Sequence, residues 1–245
     1  MKTPLLLLAL CSSLSLSAQT AVRLHGSTTV EAALEPHQAE LEARMGAKLE
    51  FHALGSSSGL LALVSGIADV AMISTPLDEV ARRVNEKTPG TIREGDYRAA
   101  PIGTVRIAFI VNPRNTVRQL SATQLAAIFT GKISNWRELG GPDLPIVVVT
   151  LANASPLVEE QLLGGAKITG GARQVPSANQ IPSVVAQEPG AIGIVSAAHA
   201  RGKTSLVTTD ADISTPLFLV TKGEPAPVVG KLIESARALL GGKTS

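Results

Sequence analysis

Short apolar runs alternate with helically spaced stretches along most of the chain, and this alternation restricts what it can fold into. Strand-like runs occur at Val22–His25, Leu49–Leu54, Val70–Ile73, Val105–Val111, Ile146–Thr150, Ile192–Val195 and Leu217–Thr221. Between them lie helical stretches at Gln38–Met45, Leu60–Ser65, Pro76–Asn85 and Ala122–Phe129, and Val228–Leu240 closes the chain before Gly241-Gly242. Thr75 and Ser121 stand where helix caps are needed, followed by Asp78 and Gln124 three residues on. Strands separated by crossover helices predict an α/β protein with a mostly parallel, wound sheet. The 245 residues suffice for two compact domains at about 100–150 residues each.

Three strand-to-helix junctions carry the chemistry. The first reads Gly26-Ser27-Thr28-Thr29, the second Gly55-Ser56-Ser57-Ser58-Gly59, and the third Ser74-Thr75. Each sets hydroxyls where a helix begins, and a helix start has backbone amides without internal partners and a partial positive charge. In wound sheets the carboxyl ends of strands line the ligand crevice. The expected ligand is therefore a small oxyanion held by amides and hydroxyls. A single Ser or Thr is equally explained as a cap, which is the expectation for Thr75 and Ser121. The first two junctions have more hydroxyls than a cap requires.

Composition removes several other functions. A formal charge of +2 is too small for a binder of nucleic-acid backbones, and four Phe, one Trp and one Tyr cannot form a base-stacking platform. The histidines at 25, 37, 52 and 199 lack ligand spacing, so neither a metal site nor a cofactor is expected. Residues 1–20 read as an export signal: Lys2, then the apolar Pro4–Leu10, then a stretch rich in small residues. Cys11 raises the question of lipidation, but Leu10 before it is larger than that processing prefers. Once the signal is removed the chain has no cysteine, and the expected location is the periplasm.

Gly55-Ser56-Ser57-Ser58-Gly59 also satisfies the G-x-S-x-G pattern of a nucleophile elbow. On that alternative Ser57 is the nucleophile of a serine hydrolase, with His199 and either Asp143 or Asp210 as partners. Three consecutive serines meet the pattern easily by chance, and only one strand precedes the elbow strand.

A family resemblance rests on longer segments. These are Gly26-Ser-Thr-Thr-Val, Gly55-Ser-Ser-Ser-Gly-Leu, Gly66-Ile-Ala-Asp-Val-Ala-Met-Ile-Ser, the segment from Leu120 to Gly141 containing IFTGKISNWRELGG, and Pro189-Gly-Ala-Ile-Gly-Ile-Val. In this order they resemble the phosphate-binding subunit of bacterial phosphate ABC transporters, a family of periplasmic solute-binding proteins. The resemblance implies a periplasmic-binding-protein type II fold: two wound α/β lobes joined by two crossing strands, with an anion between them. Lobe one is expected at 22–103 plus 216–245 and lobe two at 104–215. The implied function is capture of an oxyanion, phosphate in the first place, by a monomer that delivers it to a membrane permease without covalent chemistry. Trp136 and Phe129 read as packing residues.

Carried over residue by residue, the resemblance places ligand contacts at Thr29, with Thr28 and the Val30 amide beside it, at Ser56 with Ser57 beside it, and at Ser74. Ser74 stands where some members have a carboxylate that accepts the phosphate proton. The fourth element departs from the pattern: Leu151 occupies the expected arginine position, and of a Ser-Gly-Thr turn only Ser155 remains. Loss of a charged partner costs about 2–5 kcal/mol, whereas hydrogen bonds to a charged group contribute about 1.5–3 kcal/mol each. Arg106 in the first crossing strand either supplies the missing charge or projects to solvent. Without a carboxylate acceptor, sulfate is expected to compete with phosphate. The departures also leave open a diverged scaffold with a sensing or structural role and a different ligand or none.

Overall fold

The computed structural model describes residues 21–151, 156–200 and 202–241. The expected signal segment, Cys11 and Ser155 lie outside the described residues. In chain order the elements are β1 (Ala21–Gly26), α1 (Thr28–Leu34), α2 (Gln38–Met45), β2 (Lys48–His52), α3 (Ser56–Val64), β3 (Val70–Ile73), α4 (Leu77–Lys87) and β4 (Tyr97–Val111). They continue as α5 (Ala122–Phe129), β5 (Val147–Leu151), α6 (Pro156–Gln161), β6 (Arg173–Val175), α7 (Ile181–Gln187), β7 (Ala191–Ser196), β8 (Ser205–Leu206), β9 (Ser214–Lys222) and α8 (Pro227–Leu240).

The strands follow the order β2-β1-β3-β9-β4-β7-β5-β6, with β8 beside β4. Pairing is parallel among β1, β2 and β3, and again among β5, β6 and β7. Both central connectors break that pattern: β9 runs antiparallel to β3 and β4, and β4 antiparallel to β7. The sheet is thus two parallel sets stitched together by two antiparallel strands rather than one mostly parallel sheet. Strands β3 and β7 are buried at every position, so their apolar runs are continuous rather than alternating.

β4 begins eight residues before the strand expected from Val105. Pro101 and Gly103 conceal it in the sequence, because both residues interrupt strand patterns. The register against β9 shifts between these two positions, and pairing then continues to Arg106 opposite Ser214. At the next residue the strand changes partner, with Ile107 opposite Ser196 of β7.

Packing follows the same division. Two apolar clusters draw on residues 22–105 and 217–240, and two others on residues 107–213. In the second set Trp136 is fully buried and its Nε1 donates to the Gly190 carbonyl at 2.9 Å. Phe129 packs against Phe109 with ring centroids 5.7 Å apart. Both aromatics are therefore core residues, as their sequence context indicates.

Two glycines bring the site elements together. A Cβ at Gly59 would stand 2.4 Å from the His25 carbonyl oxygen, so only glycine lets α3 settle on β1. Gly26, at φ +137°, would place its Cβ 2.2 Å from the Met72 carbonyl oxygen. Ser121 caps α5 as expected, accepting from the Gln124 amide at 3.1 Å while Gln124 accepts from the Ser121 amide at 2.9 Å. Thr75 does not cap α4. Pro76 holds the cap position and the helix starts at Leu77.

Candidate anion-binding cleft

The three hydroxyl-bearing junctions converge. Ser27 ends the turn after β1 and caps α1, its Oγ accepting from the amides of Thr29 at 3.2 Å and Val30 at 3.5 Å. Its own hydrogen goes to Ser74 Oγ at 2.9 Å, beyond the end of β3. The Ser74 amide donates to Ser56 Oγ at 3.3 Å, at the start of α3. Thr215 of β9 donates to the Ser74 carbonyl at 2.8 Å, and the Gly55 amide donates to the Gly26 carbonyl at 2.7 Å. The strand ends lie side by side in the parallel set, so residues far apart in sequence meet at one edge.

Gly55 is the cap residue of α3. With φ +103° it suits glycine, and it has no side chain with which to cap the helix. The first-turn amides of α3 at Ser56, Ser57 and Ser58 therefore have no side-chain cap and point where an acceptor would be stabilised.

A hollow of about 630 Å³ opens over these groups. Its near wall includes Ser27, Thr28, Thr29, Ser56, Ser57, Ser74 and Thr75, and its far wall includes Thr150, Leu151, Pro176, Ser177, Ile194 and Ser196. The charged side chains at its edge are Arg83 and Lys87 of α4, and no aspartate or glutamate lines it among the described residues. Arg83 also pairs with Glu79 one turn earlier. Glu31, in the first turn of α1, has its pKa raised above the ordinary carboxylate value by burial and by Glu35. His25, at the end of β1, has its pKa lowered by burial and then by His52 and Arg23. Donors outnumber negative charges throughout, and a small anion is the solute this chemistry favours.

Of the residues expected from sequence, Thr28, Thr29, Ser56, Ser57 and Ser74 are all on the cavity wall. Val30 is not: its side chain is fully buried and its amide is engaged by Ser27. Arg106 is not brought there either. Its side chain is 67% exposed and lies 3.7 Å from Asp212, since an alternating strand position opposite Ser214 turns it to solvent. Leu151 forms part of the wall without filling the hollow.

The partners proposed for the hydrolase constellation are engaged by other residues. His199 Nδ1 lies 2.7 Å from Ser196 Oγ. Asp143 meets Arg137 and Asn135, while Asp210 accepts from the Ala122 amide at the start of α5.

Sequence reasoning passed over Ser27 as a site residue, although its place before Thr28 is the cap position of the first helix. It also missed Arg83, Lys87, Thr150, Ser177, Ser196 and Thr215, whose approach to the cleft depends on long-range packing. No local motif distinguishes them.

The PBP superfamily domain matches residues 14–236, nearly the whole chain. The chain belongs to the PBP superfamily.

This PBP-superfamily protein is 33% identical to the phosphate-binding protein PstS 2 of Streptococcus agalactiae over 120 residues, 48% of this chain and 37% of that protein. It is 29% identical to the phosphate-binding protein PstS of Bacillus subtilis over 159 residues, 64% of this chain and 50% of the relative. The matched region thus spans no more than half the length of these curated relatives. Among solved structures it is similar to a Clostridium perfringens chain described as a phosphate ABC transporter substrate-binding protein with bound phosphate. Identity is 26%, the TM-score 0.74, and coverage 91% of this chain and 97% of that one. A Vibrio cholerae ABC-type phosphate transport receptor, 23% identical with a TM-score of 0.59 over 89% of this chain and 96% of its own, speaks for the fold alone. The type II periplasmic-binding-protein fold expected from the sequence is the fold of this PBP-superfamily chain.

Proposed function

We propose that the protein is a solute-binding protein of an ABC transporter that captures a small oxyanion, phosphate in the first place, between two lobes and presents it to a membrane permease. The observation that carries this reading is the convergence of three strand-end turns, linked through Ser27, Ser74 and Ser56, on a hollow lined, among the described residues, by hydroxyls and two cations without a carboxylate. The lobes divide near 103 and 216, close to where β4 changes partner, and the pair β4–β9 serves as the hinge. Binding energy drives closure of the lobes around the anion, and no covalent step is involved.

Export to the periplasm on residues 1–20, action as a monomer and sulfate as a competing ligand belong to the same reading. No helix among the described residues is long and apolar enough to cross a membrane. Titration calorimetry on refolded, anion-free mature protein tests the function. Phosphate is expected to give saturable heat with a micromolar Kd. Silence with both phosphate and sulfate overturns the reading and favours the diverged scaffold, for which Leu151 on the far wall is the motivating observation.

A further inference from the structure

Strand β7 ends at the hollow with Ser196, a buried residue whose Oγ lies 2.7 Å from Nδ1 of the equally buried His199. This pair has no role in the hydroxyl network of the near wall. Resting on the anion-binding reading above, we propose that Ser196 contacts the bound oxyanion and that His199 positions the Ser196 hydrogen. The hydroxyl oxygen is thereby left to accept a proton that the oxyanion itself carries.

The argument is one of donors and acceptors. Arg83, Lys87 and the α3 amides can only donate. An oxyanion that retains one hydrogen, such as hydrogen phosphate or hydrogen arsenate, needs an acceptor for it, and the described lining has no carboxylate to provide one. A hydroxyl serves as acceptor without conflict only when its own hydrogen is placed elsewhere. The hydrogens of Ser27 and Thr215 are placed on Ser74 Oγ and the Ser74 carbonyl; Ser27 Oγ already accepts two amides, whereas Thr215 is a second acceptor on the Ser74 side of the hollow. Ser56 Oγ already accepts from the Ser74 amide.

Ser196 differs because its partner is an imidazole nitrogen. A neutral histidine carrying its proton on Nε2 offers Nδ1 as an acceptor, and the serine hydrogen then lies along the 2.7 Å contact. The serine lone pairs are left for the cavity. The predicted ligand class is a tetrahedral oxyanion bearing a hydrogen, with fully deprotonated sulfate still competing but the weaker of the two. His199 is a positioning residue in this arrangement, and Ser196 is the binding residue.

Calorimetric Kd values for phosphate and sulfate at one fixed pH test the pair in wild type, Ser196→Ala, His199→Phe and His199→Asn. Ser196→Ala is expected to weaken phosphate about tenfold or more. His199→Phe is expected to weaken phosphate about tenfold while sulfate changes less than about twofold, because a hydroxyl relieved of its partner can still donate to sulfate. His199→Asn, whose amide oxygen replaces the Nδ1 acceptor, is expected to restore the phosphate-to-sulfate ratio. Thermal unfolding checks that each variant is folded; if His199→Phe is not, the ratio in His199→Asn and the Ser196→Ala loss carry the test. Parallel changes for the two anions in His199→Phe, or phosphate affinity within about twofold of wild type in Ser196→Ala, overturn the proposal. Wild type that binds phosphate while the His199 variants leave the ratio unchanged overturns this inference alone, whereas wild type that binds no phosphate overturns the anion reading with it.

Discussion

The two walls of the cleft are built differently. On the near wall the ends of β1 and β3 and the starts of α1 and α3 are joined by hydroxyl and amide hydrogen bonds, with Ser74 bonded to Ser27, Ser56 and Thr215. The far wall is mainly apolar, with Leu151, Pro176, Ile194 and Val195, and its polar groups are spaced apart as Thr150, Ser177, Gln180 and Ser196. A wall whose donors are already oriented loses little freedom when an anion arrives. A wall of apolar groups adds little to that attraction but excludes water once the lobes close, which strengthens the contacts opposite. On the proposed reading the near wall sets affinity, and the far wall encloses the ligand and tunes which ligand it is.

The sharpest way to break this contrast is to perturb the backbone contact beneath each wall. Gly59→Ala forces a Cβ within 2.4 Å of the His25 carbonyl oxygen and 2.5 Å of Gly26 Cα, atoms that cannot move without displacing β1. Stability measured by urea unfolding is expected to fall by about 3 kcal/mol or more. Gly193→Ala on the β7 side meets the side-chain methyls of Ile181 and Val185 at 2.6 and 2.9 Å, which can yield, so a loss of about 1–2 kcal/mol is expected. Equal losses would remove the claim that the near wall is the more rigidly specified.

Affinity provides the next contrast. Ser56→Ala is expected to weaken phosphate about 10- to 100-fold in calorimetry, the value of one hydrogen bond to a charged group. Thr150→Val, the counterpart on the far wall, is expected to cost less than about threefold. A far-wall variant that matched the near-wall loss would show the binding energy shared between the two sides. Leu151→Arg sharpens the comparison from the other direction, since it adds a cation to a far wall that has none among the described residues. Phosphate affinity is expected to rise about tenfold, with a salt dependence stronger than that of wild type. Arg106→Ala closes the series: exposed beside Asp212 and away from the cleft, it is expected to leave phosphate affinity within about twofold.

The residues that were legible in sequence share a property. Gln38–Met45 and Ala122–Phe129 appear at their expected bounds because helical spacing and a capping box act within a few residues of the chain. Thr28, Thr29, Ser56, Ser57 and Ser74 reach the cavity wall as expected because they lie in the turns or helix starts that follow β1, β2 and β3, and a strand end in a parallel set faces the crevice. The failures involve longer range. β4 was read too short because Pro101 and Gly103 look like breakers, yet β9 supplies a partner on either side of the register shift. Arg106 was a candidate on charge alone, and only the pairing with β9 determines which way it turns.

Local order of polar and apolar residues was enough to establish an α/β architecture, its principal helices and the hydroxyl-rich turns that form the near wall, because those features follow from hydrogen bonding and burial over a few residues. Folding in three dimensions chose the antiparallel connectors, turned Arg106 outward, brought Arg83 and Lys87 to the rim and set Ser196 against His199. Those outcomes depend on which strands lie side by side, and that is settled by the packing of segments more than a hundred residues apart.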